Sequence, residues 1–242
     1  MRDIDAFYAT DIGAGVLKET GRALRFMLGA DSKKIRGKNI LLLGRGDVFG
    51  LMLLDLFKDA QRVIAITQEP DRPYGGWVGE TGQRLCVGDY QDLPVPDSMF
   101  DLIIVVHALE HVGRPAKFLR EIWRVASDDA RIVLLTPSRR GFWARTDKTP
   151  FGHGHPYSQK QLVQKLEDAM FAPGICERAL FAPPLAYGVG PSTAAAMEVA
   201  GAAFWPRFAG VLLTEARKVI YRAKPITEKK MALASMPSAP PV

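Results

Sequence analysis

Residues 39–50 read NILLLGRGDVFG, and this stretch decides how the rest of the chain is interpreted. Its apolar run 40–43 is too short for a helix and predicts a buried strand. Three glycines follow, at positions 44, 46 and 50, and apolar residues then recur with helical spacing over 51–57. Strand, glycine turn and helix are typical of a nucleotide loop, because glycine admits a close ligand and a positive φ. An ordinary strand-to-helix turn is the alternative.

The composition describes a globular chain. Its 242 residues, 48% hydrophobic and 24% charged, suffice for one large domain with appendages. The net charge of +6 favours acidic partners such as nucleic acid, phosphorylated metabolites or anionic membranes, unless it is simply a solvated surface. Cys86 and Cys176 form no CxxC pair, so a reduced, cytoplasmic chain without structural zinc is expected. We expect neither a signal peptide nor a membrane-spanning helix.

Short apolar runs that alternate with helical patterns predict an α/β fold with a parallel, doubly wound sheet. The run DLIIVVH, residues 101–107, is continuous, which is typical of a central strand buried on both faces. Further strands are predicted over 62–66, 85–87, 132–136, 174–181 and 210–221. The last of these runs also fits the start of a helix. Helices are predicted over 5–28 (one or two), 115–125, 159–170 and 192–203.

The most specific pattern lies between residues 86 and 112. It contains a Gly-Asp pair, a Leu-Pro, a Pro-Asp turn, a Phe-Asp that opens a strand and a Leu-Glu-His after that strand. These residues are Gly88, Asp89, Leu93, Pro94, Pro96, Asp97, Phe100, Asp101, Leu109, Glu110 and His111. With this spacing the sequence resembles the class I S-adenosylmethionine-dependent methyltransferases, of the type 11-like group, from about residue 37 to 140 and more loosely to 222.

The resemblance implies a Rossmann-like, mostly parallel seven-stranded sheet with the last strand antiparallel. An N-terminal helical segment, residues 1–36, would precede a methyltransferase-like domain over 37–222. The remaining residues, 223–242, contain several prolines and little apolar surface, so we expect a disordered tail there.

The resemblance also implies S-adenosyl-L-methionine as the cofactor. Its methionine part would lie against the glycine turn, its adenine near Asp89 with the backbone N–H of Tyr90, and its sulfonium beside the end of the fourth strand. The expected cofactor-binding residues are Gly44, Arg45, Gly46, Thr67, Gln68, Glu69, Asp89, Tyr90, His107 and Ala108.

Three positions depart from the family pattern. Leu42 and Thr67 stand where an acidic residue is usual, and Val48 stands where a third glycine is usual. Gln68 or Glu69 could accept a ribose hydroxyl instead. Two functions therefore stay open: a methyltransferase acting on a small, anionic or partly apolar molecule, and a catalytically degenerate relative that serves as a binding or regulatory partner.

His111 is the predicted catalytic residue, because it follows the fourth strand and a neutral imidazole can take a proton from a hydroxyl or amine. A histidine that packs and hydrogen-bonds locally at a helix start is the alternative. His153 and His155 form an HxH pair, but only Asp147 lies close enough in sequence to act as a third ligand. We therefore predict no metal site.

A long loop, residues 137–156, follows the fifth strand and should lie at the carboxyl edge of the sheet, where ligands bind. Guanidinium groups suit phosphate or carboxylate, so the loop is predicted to act as a lid or a partner surface. A solvated basic loop is the alternative. The residues expected to meet a small-molecule substrate or an acidic protein partner are Arg139, Arg140, Trp143, His153 and His155. No nucleic-acid recognition motif is present, and the oligomeric state stays open.

Overall fold

A computed structural model describes residues 3–29, 34–68, 83–146 and 149–220. The strands are β1 (Asn39–Gly44), β2 (Arg62–Thr67), β3 (Gln83–Val87), β4 (Phe100–Val106), β5 (Ala126–Pro137), β6 (Phe171–Ala179) and β7 (Val211–Lys218). The helices are α1 (Asp3–Tyr8), α2 (Asp11–Leu28), α3 (Gly46–Met52), α4 (Leu54–Phe57), α5 (Pro115–Val125), α6 (Gln159–Asp168), α7 (Pro184–Val189) and α8 (Pro191–Phe204). Short 3-10 helices cover Trp143–Arg145, Pro150–Gly152 and Pro206–Phe208.

The seven strands form one sheet in the order β3-β2-β1-β4-β5-β7-β6. Neighbours from β3 to β5 are parallel, whereas β7 runs antiparallel to both β5 and β6. The predicted Rossmann-like sheet with an antiparallel last strand is therefore confirmed. The strand order reverses between β1 and β4, and a crevice at the carboxyl ends of these two strands is where ligands bind in open α/β sheets.

Strand β1 is buried on both faces, as its uninterrupted apolar sequence predicts. Leu42 packs with Leu24 and Phe49 in the core beneath α2 and α3. Leu41 on the opposite face packs with Phe118 in the core beneath α5 and α6. The period of two along the strand thus divides the apolar residues between two separate cores.

Two helices rather than one fill the N-terminal segment, and they meet at Thr10. The Thr10 hydroxyl oxygen accepts from the Gly13 N–H and caps α2. At the other end of α2, the Arg131 guanidinium on β5 donates to the Leu28 carbonyl and pairs with Glu215 at 2.6 Å. Helix α2 is therefore fastened at both ends.

Several element boundaries differ from the sequence predictions. The residues 51–57 belong to two helices, α3 and α4, with a break at Leu53. Strand β5 begins at Ala126 and not at residue 132, because Ala126 already pairs with Phe100 across an irregularity in the ladder. The run 210–221 forms strand β7 and not a helix. Helix α7 was not predicted. The tail at 223–242 lies outside the described residues, and the domain division stays a prediction.

Arg124 fastens the turn after β3 to helix α5. Its guanidinium donates to the carbonyls of Leu93 and Val95 at 3.0 Å each and pairs with the carboxylates of Asp97 and Glu121. A planar guanidinium can make these bonds at once, which an ammonium cannot. The Leu-Pro and Pro-Asp motifs thus have a structural role next to the carboxyl edge.

Candidate functional site

The glycine turn after β1 is shaped by β4. Gly44 has a φ of +70°, and a Cβ at this position would lie 2.0 Å from the Val106 carbonyl oxygen. The following Arg45 N–H donates to the same oxygen at 2.7 Å. A Cβ on Gly46 would lie 2.9 Å from Cβ of Leu42. Both glycines are therefore required by contacts within the fold.

The carboxyl ends of β2 and β3 bring Gln68 and Asp89 together. The Gln68 amide donates to Asp89 Oδ1 at 3.2 Å, and the Gln91 N–H donates to the same oxygen at 2.9 Å. Asp89 is exposed, whereas Thr67 is buried and accepts from the Gly88 N–H through its carbonyl. The edge thus presents an amide and a carboxylate, which can donate to and accept from a polar ligand.

Two other predicted cofactor-binding residues, Tyr90 and Ala108, have buried side chains. The Tyr90 side chain is buried and packs against Phe118, so it turns away from the edge. Ala108 is also buried, directly after His107. Glu69 lies outside the described residues.

A buried hydrogen-bonded chain occupies the crevice between β1 and β4. The Tyr8 hydroxyl on α1 lies 2.8 Å from Nε2 of His107, and Nδ1 of His107 lies 2.9 Å from Oε1 of Glu110. The side chains of His107 and Glu110 are fully buried. His107 also has a φ of +50°, a strained conformation for a residue other than glycine, and such strain clusters at functional sites.

The protonation state of Tyr8 decides which atoms donate and which accept in this series of hydrogen bonds. Burial, and next the negative charge of Glu110, raise the pKa of the Tyr8 hydroxyl well above 10, while Arg45 opposes the shift. Tyr8 therefore stays neutral and donates to Nε2 of His107. The Nδ1–H of His107 then donates to the Glu110 carboxylate, which has only acceptors when ionised. Among the described residues, Oε2 of Glu110 has no hydrogen-bond partner.

Aromatic rings enclose this chain on the side of α1. Tyr8 lies edge-on to Phe49, with ring centroids 6.0 Å apart, and Phe151 lies edge-on to His107 at 5.1 Å. Trp143 packs on Phe151 and donates through Nε1 to the Ala182 carbonyl at 2.8 Å. Trp143 was predicted to meet a substrate or partner, but its side chain is fully buried in the core. Its burial could not be inferred from a glycine- and arginine-rich loop.

Comparison with known proteins adds sequence similarity to this geometry. A family model described as a methyltransferase domain matches residues 43–134. Ajmaline N-methyltransferase of Rauvolfia serpentina is 44% identical over 54 residues, 22% of this chain and 19% of that protein. Norajmaline N-methyltransferase of the same plant is 33% identical over 95 residues, 39% of this chain and 30% of that protein. The matches thus span less than a third of these relatives.

Solved structures share the fold at low identity. A methyltransferase of Haloferax volcanii, determined in complex with the Trm112 methyltransferase activator, has a TM-score of 0.65 at 16% identity and covers 91% of this chain and 97% of that one. An S-adenosylmethionine-dependent methyltransferase of Mesorhizobium loti has a TM-score of 0.58 at 20% identity, covering 81% and 96%. Over residues 43–134 the chain is thus similar to a methyltransferase domain, and its sheet has the fold of solved S-adenosylmethionine-dependent methyltransferases.

The solved neighbour of Mesorhizobium loti is S-adenosylmethionine-dependent, and the residues of the crevice can be compared with what this cofactor requires. At one end, Gln68 and Asp89 offer the donor and acceptor that an adenosine requires. At the other end, Gly44 approaches β4 closely and Tyr8 covers His107. The residues at the adenosine end therefore fit the cofactor, and the other end is covered by α1.

His111 lies beside the crevice but outside the hydrogen-bonded chain. Its backbone N–H donates to the Ala108 carbonyl at 3.0 Å, and among the described residues its Nε2 has no partner. Burial lowers the pKa of His111 below its ordinary value, with the charge of Glu110 opposing. His111 is consequently neutral at neutral pH.

The loop of residues 137–156 closes on the same edge of the sheet. Ser138 pairs with Tyr157, and the His155 N–H donates to the Glu110 carbonyl at 2.9 Å. The side chains of Arg139 and Arg140 are exposed, as are those of His153 and His155. Across the described ranges, no group of three His, Cys, Asp or Glu side chains is arranged to hold a metal. No described helix is long and apolar enough to cross a membrane.

We expect Gly44→Ala to lower the free energy of unfolding by more than about 3 kcal/mol, because it combines a strained φ with a clash against Val106. Gly37→Ala is the matched control, since Gly37 has a φ of +71° with nothing within 4 Å of an added Cβ. It should cost only about 1 kcal/mol. Urea denaturation measures both, and equal losses would show that β4 does not impose the glycine.

Proposed function

We propose that this chain is an S-adenosylmethionine-dependent methyltransferase that acts on a small, anionic or partly apolar molecule. The observation that carries the proposal is the imidazole of His107, oriented by Glu110, at the carboxyl end of β4 where the strand order reverses. A carboxylate that fixes one ring nitrogen leaves the other to accept a proton, which is the arrangement of a general base.

The cofactor would be held along the carboxyl edge of β1, β2 and β3. Asp89 and Gln68 would bind its adenosine, and the backbone of the turn from Gly44 to Gly46 would lie beside its methionine part. When bound, S-adenosylmethionine supplies a methyl group activated by its sulfonium. The remaining task of the protein is to align the acceptor and to receive its proton.

His107 is proposed to receive that proton at Nε2. In the present structure the Tyr8 hydroxyl donates to this nitrogen, so a hydroxyl or amine of the acceptor would take the place of Tyr8. Glu110 would then stabilise the imidazolium through Nδ1–H, as the carboxylate does in other carboxylate–histidine pairs. Helix α1 would act as a cover that shifts when ligands bind.

His111, the residue proposed from sequence, is the second candidate for the proton acceptor. Its lowered pKa and its buried Nε2 are compatible with that role. No carboxylate is hydrogen-bonded to its ring among the described residues, however, whereas His107 has one. We therefore propose His107 as the base and His111 as a neighbour that packs against the 137–156 loop.

The proposed acceptor is anionic or partly apolar because aromatic rings and exposed guanidinium groups both lie near His107. Phe151 contacts the His107 ring edge-on, and Phe7 and Trp143 pack behind Phe151. Arg139 and Arg140 are exposed at the end of β5, on the same edge of the sheet. Guanidinium groups there suit a carboxylate or phosphate on the acceptor.

We expect S-adenosylmethionine and its demethylated product to bind with saturable heat in calorimetry. Asp89→Ala should weaken binding about tenfold, because it removes a charged hydrogen-bond acceptor. Asp92→Ala is the control, since it removes the same charge three residues along the chain. Tyr8→Phe should strengthen binding about fivefold if α1 is a cover, because only the covered state loses a hydrogen bond. An absence of heat with either compound at millimolar concentration would favour the degenerate, partner-binding function.

His107→Gln should lower kcat about a hundredfold or more while leaving cofactor affinity nearly unchanged. The acceptor for this assay comes from a screen of acidic and phenolic small molecules for release of S-adenosylhomocysteine. His111→Gln is the comparison variant and should reduce kcat far less. The opposite ranking would assign the proton to His111, and a loss of cofactor binding in His107→Gln would make His107 a cofactor residue.

Replacing both Arg139 and Arg140 by alanine should raise KM for an anionic acceptor about tenfold or more, since hydrogen bonds to charged groups are lost. Cofactor affinity, measured by calorimetry, should not change. If the double variant lost cofactor binding while keeping its circular dichroism spectrum, the loop would belong to the cofactor site instead.

A further inference from the structure

Helix α8 presents an outer side without charge. After a first turn in which Pro191, Ser192 and Thr193 are exposed, its exposed positions are Ala195, Ala196, Val199, Ala202, Ala203 and Phe204. Val199 is 74% exposed and Phe204 is 81% exposed, so these side chains protrude. A helix on the surface of a globular protein ordinarily carries polar residues on its solvent side. The outer side of α8 therefore suits an apolar contact outside the fold.

The one charged residue of α8, Glu198, does not change this conclusion. Its carboxylate is buried and accepts from the N–H groups of Phe181 and Ala182 and from the Tyr187 hydroxyl at 2.7 Å. Glu198 thus satisfies backbone donors inside the protein. It places no charge on the outer side of the helix.

Next to α8 lies a cavity of about 550 Å³ lined by four cations, which we call the basic basin. These are Arg140, Lys160, Arg178 and Arg207, contributed by the loop after β5, by α6, by β6 and by the 3-10 helix after α8. None of the described residues that line the basin carries a carboxylate. Within the part of the chain that the structure describes, none of the four cations forms an ion pair, so their charge is available to an anion.

The basic basin and a second cavity beside α8 share the lining residue Arg178. This second cavity, of about 550 Å³, is also lined by Phe26 on α2 and Val199 on α8. Phe26 is 73% exposed. Three carboxylates also line this second cavity: Glu19, Glu177 and Glu198. Glu19 is paired with Arg22, and Glu198 is the buried carboxylate that accepts from backbone N–H groups.

We infer that the basic basin and the outer side of α8 together bind an anionic membrane surface. The phosphodiester groups of acidic lipids would meet the guanidinium groups, while Phe204, Val199 and Phe26 enter the apolar boundary. The backbone of a nucleic acid would contact the cations of the basin but would leave the protruding aliphatic and aromatic side chains without a partner. A lipid interface offers phosphate groups to the cations and acyl chains to the apolar side chains. The net charge of +6 adds long-range attraction to an anionic membrane.

Flotation of the full chain with vesicles tests this inference. The chain should bind vesicles of phosphatidylcholine mixed with phosphatidylglycerol, should bind vesicles of phosphatidylcholine alone much less, and should be released by salt. Arg178→Gln with Arg207→Gln should weaken binding about twenty-fivefold, at roughly fivefold for each charge. Phe204→Ala should weaken it roughly tenfold. All substituted side chains are exposed, so folding should be retained.

Arg36→Gln with Arg62→Gln is the matched control, because it removes two exposed charges elsewhere on the chain. It should leave vesicle binding within about twofold of the unmodified chain. Equal weakening by the control pair would overturn the inference in favour of unspecific attraction. Tighter binding to double-stranded DNA than to anionic vesicles would also overturn the inference. A dimer in solution that Phe204→Ala dissociates would overturn it too, because the apolar side of α8 would then bind a second copy of the chain. Soluble phosphate that binds the basin while vesicles do not would overturn it as well.

Discussion

The parallel pairing of β1 with β4 is the constraint on which the rest of the structure depends. It reverses the strand order and brings the carboxyl ends of two buried strands together. Val106 then accepts the Arg45 N–H, and only glycine fits at position 44. The same pairing sets His107 one residue beyond β4, where its ring faces the crevice and meets Tyr8. The backbone hydrogen bonds between β1 and β4 thus determine where the polar side chains of the candidate site lie.

Much of this fold could be predicted because its signals are local. Continuous apolar runs identify β1 and β4, and an i, i+3, i+4, i+7 pattern predicts α5 with its observed bounds. Motif spacing between residues 86 and 112 predicts the turn that Arg124 holds to α5. Gln68 and Asp89 follow their strands directly, so their place at the carboxyl edge of the sheet could be predicted from where β2 and β3 end.

The rest could not be predicted because its signals are distant in sequence. Tyr8 and His107 are 99 residues apart, and a tyrosine near an N-terminus carries no pattern that indicates a buried histidine as its partner. Trp143 has arginines nearby, and only the tertiary packing reveals that its ring fills the core. Likewise Arg140 and Arg207 share one cavity although different segments supply them, so composition alone indicates the charge but not its place.

The fastening of α2 at both ends limits which part of the chain can move. The Thr10 cap and the Arg131 contact hold α2, so the proposed opening of the crevice would involve the helix before Thr10. Ile4 and Tyr8 are buried in that helix, and the loss of their burial would oppose the opening. Apparent ligand affinity scales with the open fraction. Substitutions at Ile4 would therefore change the apparent affinity for the ligand without changing any residue of the hydrogen-bonded chain. Ligand affinity could thus vary among related sequences while the proposed chemistry stays the same.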